Sequence, residues 1–252
     1  MKRKLIQWPE AKYWDKPWNP IIGCRPCSPA CEHCYAKRVV ERFNTTGICA
    51  PGFAPTETGR VNPPRKGVVF CGNMTDLFGM WVQPPAFSRP GEYIERTLGN
   101  VGDATYLWCT KRPENMGRAI SSLPTDADLS NQFFGFTAEN QELYDHRIEA
   151  RINNCERDDA YIWVSVEPIL GPVNLHLYDY VVDWIVVGSE SGPYRRPCKT
   201  EWVETVVEQC VAARVPVFVK QLDIGGKCVT DIDQFPEHLR IRQVPWKKED
   251  AK

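Results

Sequence analysis

Short apolar, β-branched and aromatic runs recur along the chain, separated by more polar segments of helical length. The runs are NPIIGC (19–24), GVVFCGN (67–73), ATYLWCT (104–110), QFFGFTAE (132–139), AYIWVSVEP (160–168), DWIVVGSESG (183–192) and VPVFVKQL (215–222). They are continuously apolar rather than alternating, which is the pattern of strands covered on both faces in a parallel sheet. The segments 35–44, 90–100, 113–121, 140–154 and 200–214 predict helices. In the last, Trp202, Val203, Val206, Val207 and Cys210 recur at helical spacing, with Thr200 as the expected N-cap. Alternating strand and helix predicts an α/β domain with right-handed crossovers. Seven strand candidates suit a full or partial (β/α) barrel of parallel strands better than a short open sheet. The expectation is one domain over 1–252, with a C-terminal extension from about 223. The Pro-rich stretches 50–66 and 81–90 predict long loops, able to form a lid or a substrate-contacting surface.

Polar residues gather where the apolar runs stop. GVVFCGN, whose last residue is Asn73, gives way to Met74, Thr75 and Asp76. YLWCT is followed by Lys111 and Arg112, FFGFT by Glu139 and Asn140, and YIWVSV by Glu167. WIVVG ends in Ser189, Glu190 and Ser191, and VFVK in Lys220 and Gln221. In a parallel barrel these ends share one face, and that face carries the active site. Any one of them can be a helix cap or a solvated loop residue; six together point to function. Glu139, Glu167 and Glu190 suit an amine or a ribose. Lys111, Arg112 and Lys220 suit a carboxylate or phosphate.

Cysteine usage sharpens the chemistry. Four of the eleven cysteines, Cys24, Cys27, Cys31 and Cys34, fall in one short loop, and the last three read C-x3-C-x2-C before Tyr35. Structural zinc sites draw ligands from two separated pairs, whereas this loop aims at least three thiols into one volume. A cubane iron–sulfur cluster suits it, and three thiolates on four irons leave one iron open to a ligand. Cys71, Cys109 and Cys210 sit inside apolar runs and read as small buried hydrophobes. Cys49, Cys155, Cys198 and Cys228 have polar neighbours and stay unassigned. Charge is balanced at −1, so there is no global basic field. No apolar run reaches membrane-span length and no signal-peptide stretch opens the chain, so a cytoplasmic protein with no membrane partner is expected. In a reducing compartment the cysteines read as metal ligands and buried thiols rather than disulfides.

The motifs resemble those of the phage Gp37/Gp68-like proteins, a radical-SAM-like group. The resemblance runs from KPWNPIIGC and SPACEHCYA through CGNMTDLF, LWCTKRPENM, GFTAENQE, Arg147, VSVEPILGPV, DWIVVGSESGP, Arg195–Arg196–Pro197 and VFVKQL to PEHLRIRQVPW. The family pattern C-x6-C-x2-C falls on Cys24, Cys31 and Cys34. The general radical-SAM pattern C-x3-C-x2-C falls on Cys27, Cys31 and Cys34. The third ligand is thus Cys24 or Cys27, and a fourth thiolate would close the cluster.

The resemblance implies a [4Fe–4S] cluster, S-adenosylmethionine, a 5′-deoxyadenosyl radical and a reductant of the flavodoxin or ferredoxin type. It implies roles for Tyr35 near the adenine and for Asn73 and Asp76 near the methionine amine. Glu139 and Asn140 would meet the ribose, with Glu167 and Glu190 serving either ligand. Lys111, Arg112, Lys220 and Gln221 would face the substrate. A nucleic acid or nucleotide is the expected substrate, from the phage association and from KRPENMGR and YRRPCK, where cations and an aromatic suit phosphate contact and stacking. Two other readings compete. One is a non-catalytic zinc or iron–sulfur protein that binds nucleic acid. The other is a metal-free hydrolase or lyase using Glu139, Glu167 and Glu190 as acid–base groups.

Overall fold

The computed structural model describes residues 6–43, 51–79, 91–100 and 104–246. In chain order the elements are β1 (Ile6–Gln7), β2 (Lys16–Trp18), β3 (Ile21–Ile22), α1 (Tyr35–Phe43), β4 (Thr56–Glu57), β5 (Gly67–Cys71) and α2 (Gly91–Leu98). They continue with β6 (Ala104–Thr110), α3 (Pro113–Ser121), β7 (Gln132–Thr137), α4 (Gln141–Asn153), β8 (Tyr161–Val166) and β9 (Trp184–Gly188). The last are α5 (Thr200–Ala213), β10 (Val217–Ile224), β11 (Lys227–Val229) and β12 (Gln243–Val244). The fold is mixed α/β with mainly parallel strands. Contacts divide it into two compact units. No helix among the described residues is long and apolar enough to cross a membrane.

The first, here the cysteine unit, comprises the described residues of 14–136 and 147–161. Its strands run β7-β6-β5-β2, all parallel, with Lys16 opposite Val69 and Tyr106 opposite Gln132. β5 and β6 are covered almost throughout, as continuous apolar runs require. Trp108 sits at the centre, stacked on Phe134 and edge-on to Trp18 and Phe78. Its indole N–H donates to Gln132 Oε1 at 2.8 Å, and Gln132 Nε2 donates to Asn131. The buried amide is therefore satisfied rather than orphaned.

The second, the C-terminal unit, comprises the described residues of 6–13, 137–146 and 162–246. Its strands run β11-β10-β9-β8; β8, β9 and β10 are parallel, and β11 folds back antiparallel. Gly225 and Gly226 both have positive φ, so they supply the tight two-residue turn between β10 and β11. Tyr13, Trp163, Trp184, Phe218 and Trp246 form an aromatic core with centroids 4.8–6.3 Å apart. β1 pairs antiparallel with β12, and Trp8 packs edge-on to Trp246. Arg242, almost fully buried, donates to the carbonyls of Val219, Pro9, Lys220 and Thr230. The residues from 223 onward, expected as an extension, begin inside β10 and supply this buried hub.

Several expectations need correction. NPIIGC is not a parallel strand: only Ile21 and Ile22 pair, antiparallel to β4. Pro20 lacks a donor for a ladder, and Gly23 turns the chain at φ +101°. The parallel partner of β5 is instead β2, Lys16–Trp18. The stretch 50–66 is no free loop. It holds a 3-10 turn at Pro51–Phe53 and β4, and the Arg60 carbonyl accepts from Trp18 Nε1 at 2.9 Å. The 81–90 loop and Cys49 lie outside the described residues. Thr200 is the first helical residue of α5, not its N-cap, which is Lys199 with no side-chain cap. Cys71 and Cys210 are buried as expected, and burial pushes both thiols up, Cys210 to about 12. Cys109 is only half-buried.

Candidate functional site

In the cysteine unit the loop carrying the thiols is pinned from three sides. Gly23 N–H donates to the Met74 carbonyl at 3.1 Å, and Cys24 N–H to the Phe53 carbonyl at 2.9 Å. Thr75 Oγ1 donates to the Gly23 carbonyl at 2.5 Å. A Cβ on Gly23 would meet the Ala54 carbonyl oxygen at 2.2 Å, at a φ that favours glycine. Gly23→Ala is therefore expected to cost about 3 kcal/mol and to displace the loop. Chemical denaturation checks it, and an unchanged midpoint would refute the constraint.

The four thiols differ in their surroundings. Cys24 and Cys34 are half-buried against Ala36, Phe53, Ile22 and Met74. Cys27 is exposed, and its backbone N–H points at Cys31 Sγ, 3.5 Å away. Cys31 also lies 3.6 Å from Ser28 Oγ. The hydrogen bond from Cys27 is the main cause that draws Cys31 down to about 4, with the backbone N–H of Cys27, Lys111 and Ser28 acting in the same sense against burial. Cys27, the proton donor of the pair, is pushed up by that bond and by burial. Burial and the Asp76 charge push Cys24 up to about 11. Thiolate is the reactive form, so iodoacetamide should alkylate Cys31 first at pH 6, at a rate that falls only as pH drops toward 4. Cys24 should react only as pH rises toward 11. Peptide mapping after a short pulse decides it, and preferential labelling of Cys24 at pH 6 would contradict the assignment.

Asp76 and Arg112 hold the strand ends to this loop. Asp76, nearly buried in the turn after β5, accepts four hydrogen bonds. Its Oδ1 takes Thr110 Oγ1 at 2.7 Å and Phe78 N–H at 3.1 Å. Its Oδ2 takes Arg112 Nη1 at 2.8 Å and Lys111 N–H at 3.1 Å. Arg112 in turn donates Nη2 to the Arg25 carbonyl at 3.1 Å, inside the cysteine loop. The Tyr35 hydroxyl donates to the Asn73 carbonyl. Asn73 Oδ1 accepts from Asn19 Nδ2 at 2.7 Å, and Asn19 Oδ1 accepts from Met74 N–H at 3.1 Å. Asp76 thus receives four donors, one of them the Arg112 guanidinium. Asn19 is a partner that sequence reasoning left unassigned, although it lies in the KPWNP motif.

The remaining site residues belong to the C-terminal unit. Lys220 Nζ meets Glu167 Oε1 at 2.5 Å, and Gln221 Nε2 donates to the same oxygen at 3.2 Å and to the Ser189 carbonyl at 2.6 Å. Arg196 clamps Glu190 through its backbone N–H at 2.7 Å and both arms of its guanidinium. Glu139 is fully buried. Asn140 accepts from Leu143 N–H at 3.0 Å and so caps α4. The structure groups Cys24, Cys27, Cys31, Cys34, Tyr35, Asn73, Asp76, Lys111 and Arg112 in one unit. It groups Glu139, Asn140, Glu167, Glu190, Lys220 and Gln221 in the other. Arg196 was visible only as part of the RRP motif, with no signal that it would pair with Glu190.

The donor set of the loop fits an iron–sulfur cluster. Thiols are soft ligands, the Cys27 hydrogen bond and the Lys111 charge favour the thiolate of Cys31, and Cys24 lies close enough for its thiolate to be opposed by that of Cys31. Convergence is not preformed: among the described residues no three cysteines, histidines or carboxylates stand ready around one metal ion. The model of the family described as "Protein of unknown function (DUF5131)" matches residues 9–238, and the chain belongs to that family. No curated protein and no solved structure matches it.

Proposed function

We propose that this member of the DUF5131 family is a radical S-adenosylmethionine enzyme that modifies or repairs a nucleic acid or nucleotide. The observation that carries the reading is the four-thiol loop held by the Asp76–Arg112 pair at the ends of parallel strands. Cys31, Cys34 and either Cys24 or Cys27 would hold a [4Fe–4S] cluster. With S-adenosylmethionine such a cluster supplies one-electron cleavage of the sulfonium to a 5′-deoxyadenosyl radical. The surroundings that lower the Cys31 thiol would ease its ligation as thiolate. Arg112 fixes the loop backbone, and the neighbouring Lys111 brings a second cation to it. The Glu167–Lys220 and Glu190–Arg196 pairs of the C-terminal unit offer polar groups to a ligand while neutralising each other. On this reading the parallel strands are those of a radical-SAM-like partial (β/α) barrel. The protein works in a reducing cytoplasm and takes electrons from a flavodoxin- or ferredoxin-type reductant.

One observation favours a second reading, a non-catalytic zinc or iron–sulfur protein that binds nucleic acid: Cys27, exposed beside Cys31, offers a fourth thiol that would close the site. Anaerobic reconstitution with iron and sulfide, followed by electron paramagnetic resonance of the reduced protein with and without S-adenosylmethionine, separates the two. A [4Fe–4S]⁺ signal that shifts on addition supports the radical enzyme. Uptake of zinc alone, or a signal blind to S-adenosylmethionine, supports the second.

A further inference from the structure

Helix α1 of the cysteine unit turns one apolar face inward and another outward. Ala36 is buried and Val40 half-buried, in a cluster with Phe53, Cys24 and Cys34 at the base of the cysteine loop. Beside that face Tyr35, Val39 and Phe43 recur at i, i+4 and i+8, so they form a stripe along the helix. They are 47%, 41% and 62% exposed. The Tyr35 hydroxyl is tied to the Asn73 carbonyl, which fixes the start of the stripe against the turn after β5. Single exposed apolar side chains are ordinary. Among the described residues eight large ones are exposed, and three of them fall on this one helix, which makes a patch rather than a scatter.

Charge and position narrow what fits. Arg42 holds its guanidinium over the Phe43 ring, 5.0 Å from the centroid, and Arg38 stands one turn before it. From Cys24 to Phe43 the chain carries four cations, Arg25, Lys37, Arg38 and Arg42, against two carboxylates, Glu32 and Glu41, although the whole chain stands at −1. Aromatic and apolar groups beside arginines are the make-up of a protein interface, and the sign of the cations suits an acidic partner. A nucleic acid fits less well. Val39, at the centre of the stripe, offers neither a stacking plane nor a phosphate donor, and Lys37 already faces Glu41 at 3.9 Å. Tyr35 follows Cys34 directly, and from there the helix rises only about 12 Å to Phe43. A protein seated on α1 therefore stands beside the thiols, and a patch this small matches the brief encounters of electron carriers.

We infer that the Tyr35–Val39–Phe43 face of α1, with Arg38 and Arg42 beside it, is the docking surface for a small acidic protein that delivers single electrons to the cysteine loop. The inference rests on the reductant of the reading above and gives it a place on the chain. The carrier loses one electron and a bound [4Fe–4S]²⁺ cluster gains it; no bond forms or breaks and no proton moves.

The test titrates the full chain, before iron is added, with an acidic flavodoxin and with an acidic ferredoxin by calorimetry at low and at physiological salt. At least one carrier should bind with micromolar affinity, several-fold more weakly as salt rises. Val39→Glu and Phe43→Ala should each weaken binding about tenfold, and Arg42→Glu should also remove most of the salt dependence. All three side chains are exposed, so the variants should melt with wild type. After anaerobic reconstitution, stopped-flow reduction by the carrier should slow in all three variants, while reduction by dithionite stays unchanged. Carriers that do not bind, or that bind every variant equally, would overturn the inference. A variant that melts early would assign its side chain to the fold and count against the surface. A single-stranded oligonucleotide that alone shows the sensitivity to these substitutions would give the face to nucleic acid instead. A wild-type dimer in sedimentation that Val39→Glu makes monomeric would give it to a second copy of the chain. A cluster responsive to S-adenosylmethionine with no carrier on α1 defeats only this inference. Carrier binding through α1 with an unresponsive cluster defeats only the radical reading.

Discussion

Asp76→Ala should destabilise the protein by about 3–5 kcal/mol, because it removes one member of a nearly buried ion pair and leaves the other without compensation. The loss is larger than for a surface pair because Asp76 serves four donors at once. Thr110 Oγ1, Phe78 N–H, Lys111 N–H and Arg112 Nη1 all point at its carboxylate. Each would be left in a site that excludes most water. Asp76→Asn keeps an oxygen for Thr110 and Phe78 but loses the charge opposite Arg112, so it should cost roughly half as much. Urea unfolding checks the order Ala, Asn, wild type in rising midpoint. A double substitution with Arg112→Ala should cost less than the sum of the two single changes, since each has already removed the partner of the other. Additive losses, or an Asp76→Ala cost below about 1 kcal/mol, would mean that the pair is only decorative.

The second large effect is on metal loading. Cys31→Ser and Cys34→Ser should each abolish a S-adenosylmethionine-responsive cluster, because both frames of the cysteine motif use them. Cys24 and Cys27 then discriminate between the frames. With Cys24 as third ligand, Cys24→Ser loses the responsive signal and Cys27→Ser keeps it; with Cys27 the pattern reverses. A wild-type cluster blind to S-adenosylmethionine that becomes responsive in Cys24→Ser or Cys27→Ser would mean four thiolates and no open iron, against the proposed chemistry. Cys27→Ala carries an internal control. The side-chain hydrogen bond from Cys27 is the leading cause of the low Cys31 value, and alanine has no donor to replace it, so the variant should move Cys31 alkylation toward higher pH. That readout needs no cluster. A Cys27→Ala variant with unchanged alkylation would show that the thiol pair does not exist in solution.

The strands were legible where they are buried on both faces, since then nothing interrupts the apolar run. β6 matches its expected span, and β5, β7, β8, β9 and β10 lie within or beside theirs. β2 was not legible: Lys16–Pro17–Trp18 has a charge and a proline, and only its pairing with β5 makes it a strand. NPIIGC misled because its apolar residues cover the base of the cysteine loop instead of joining the parallel ladder. At the site, residue types could be read but pairings could not. Asp76 and Arg112 stand at the ends of different strands, 36 positions apart, and only the adjacency of β5 and β6 makes them partners. Asn140 also caps α4, a pairing that an Asn directly before a helix signals.

The pairing of β1 with β12 also orders events during synthesis. A ribosome delivers residues 14–161, with the cysteine loop, Asp76 and Arg112, before residues 162–246. The strand at Ile6–Gln7 must wait, without its partner, until Gln243 and Val244 have left the exit tunnel. The cysteine unit can therefore begin to fold while the other unit is still being translated. The strand at Ile6–Gln7, part of the C-terminal unit, lacks its partner for that whole interval, which makes the nascent chain a natural client for whatever holds unfinished proteins in solution.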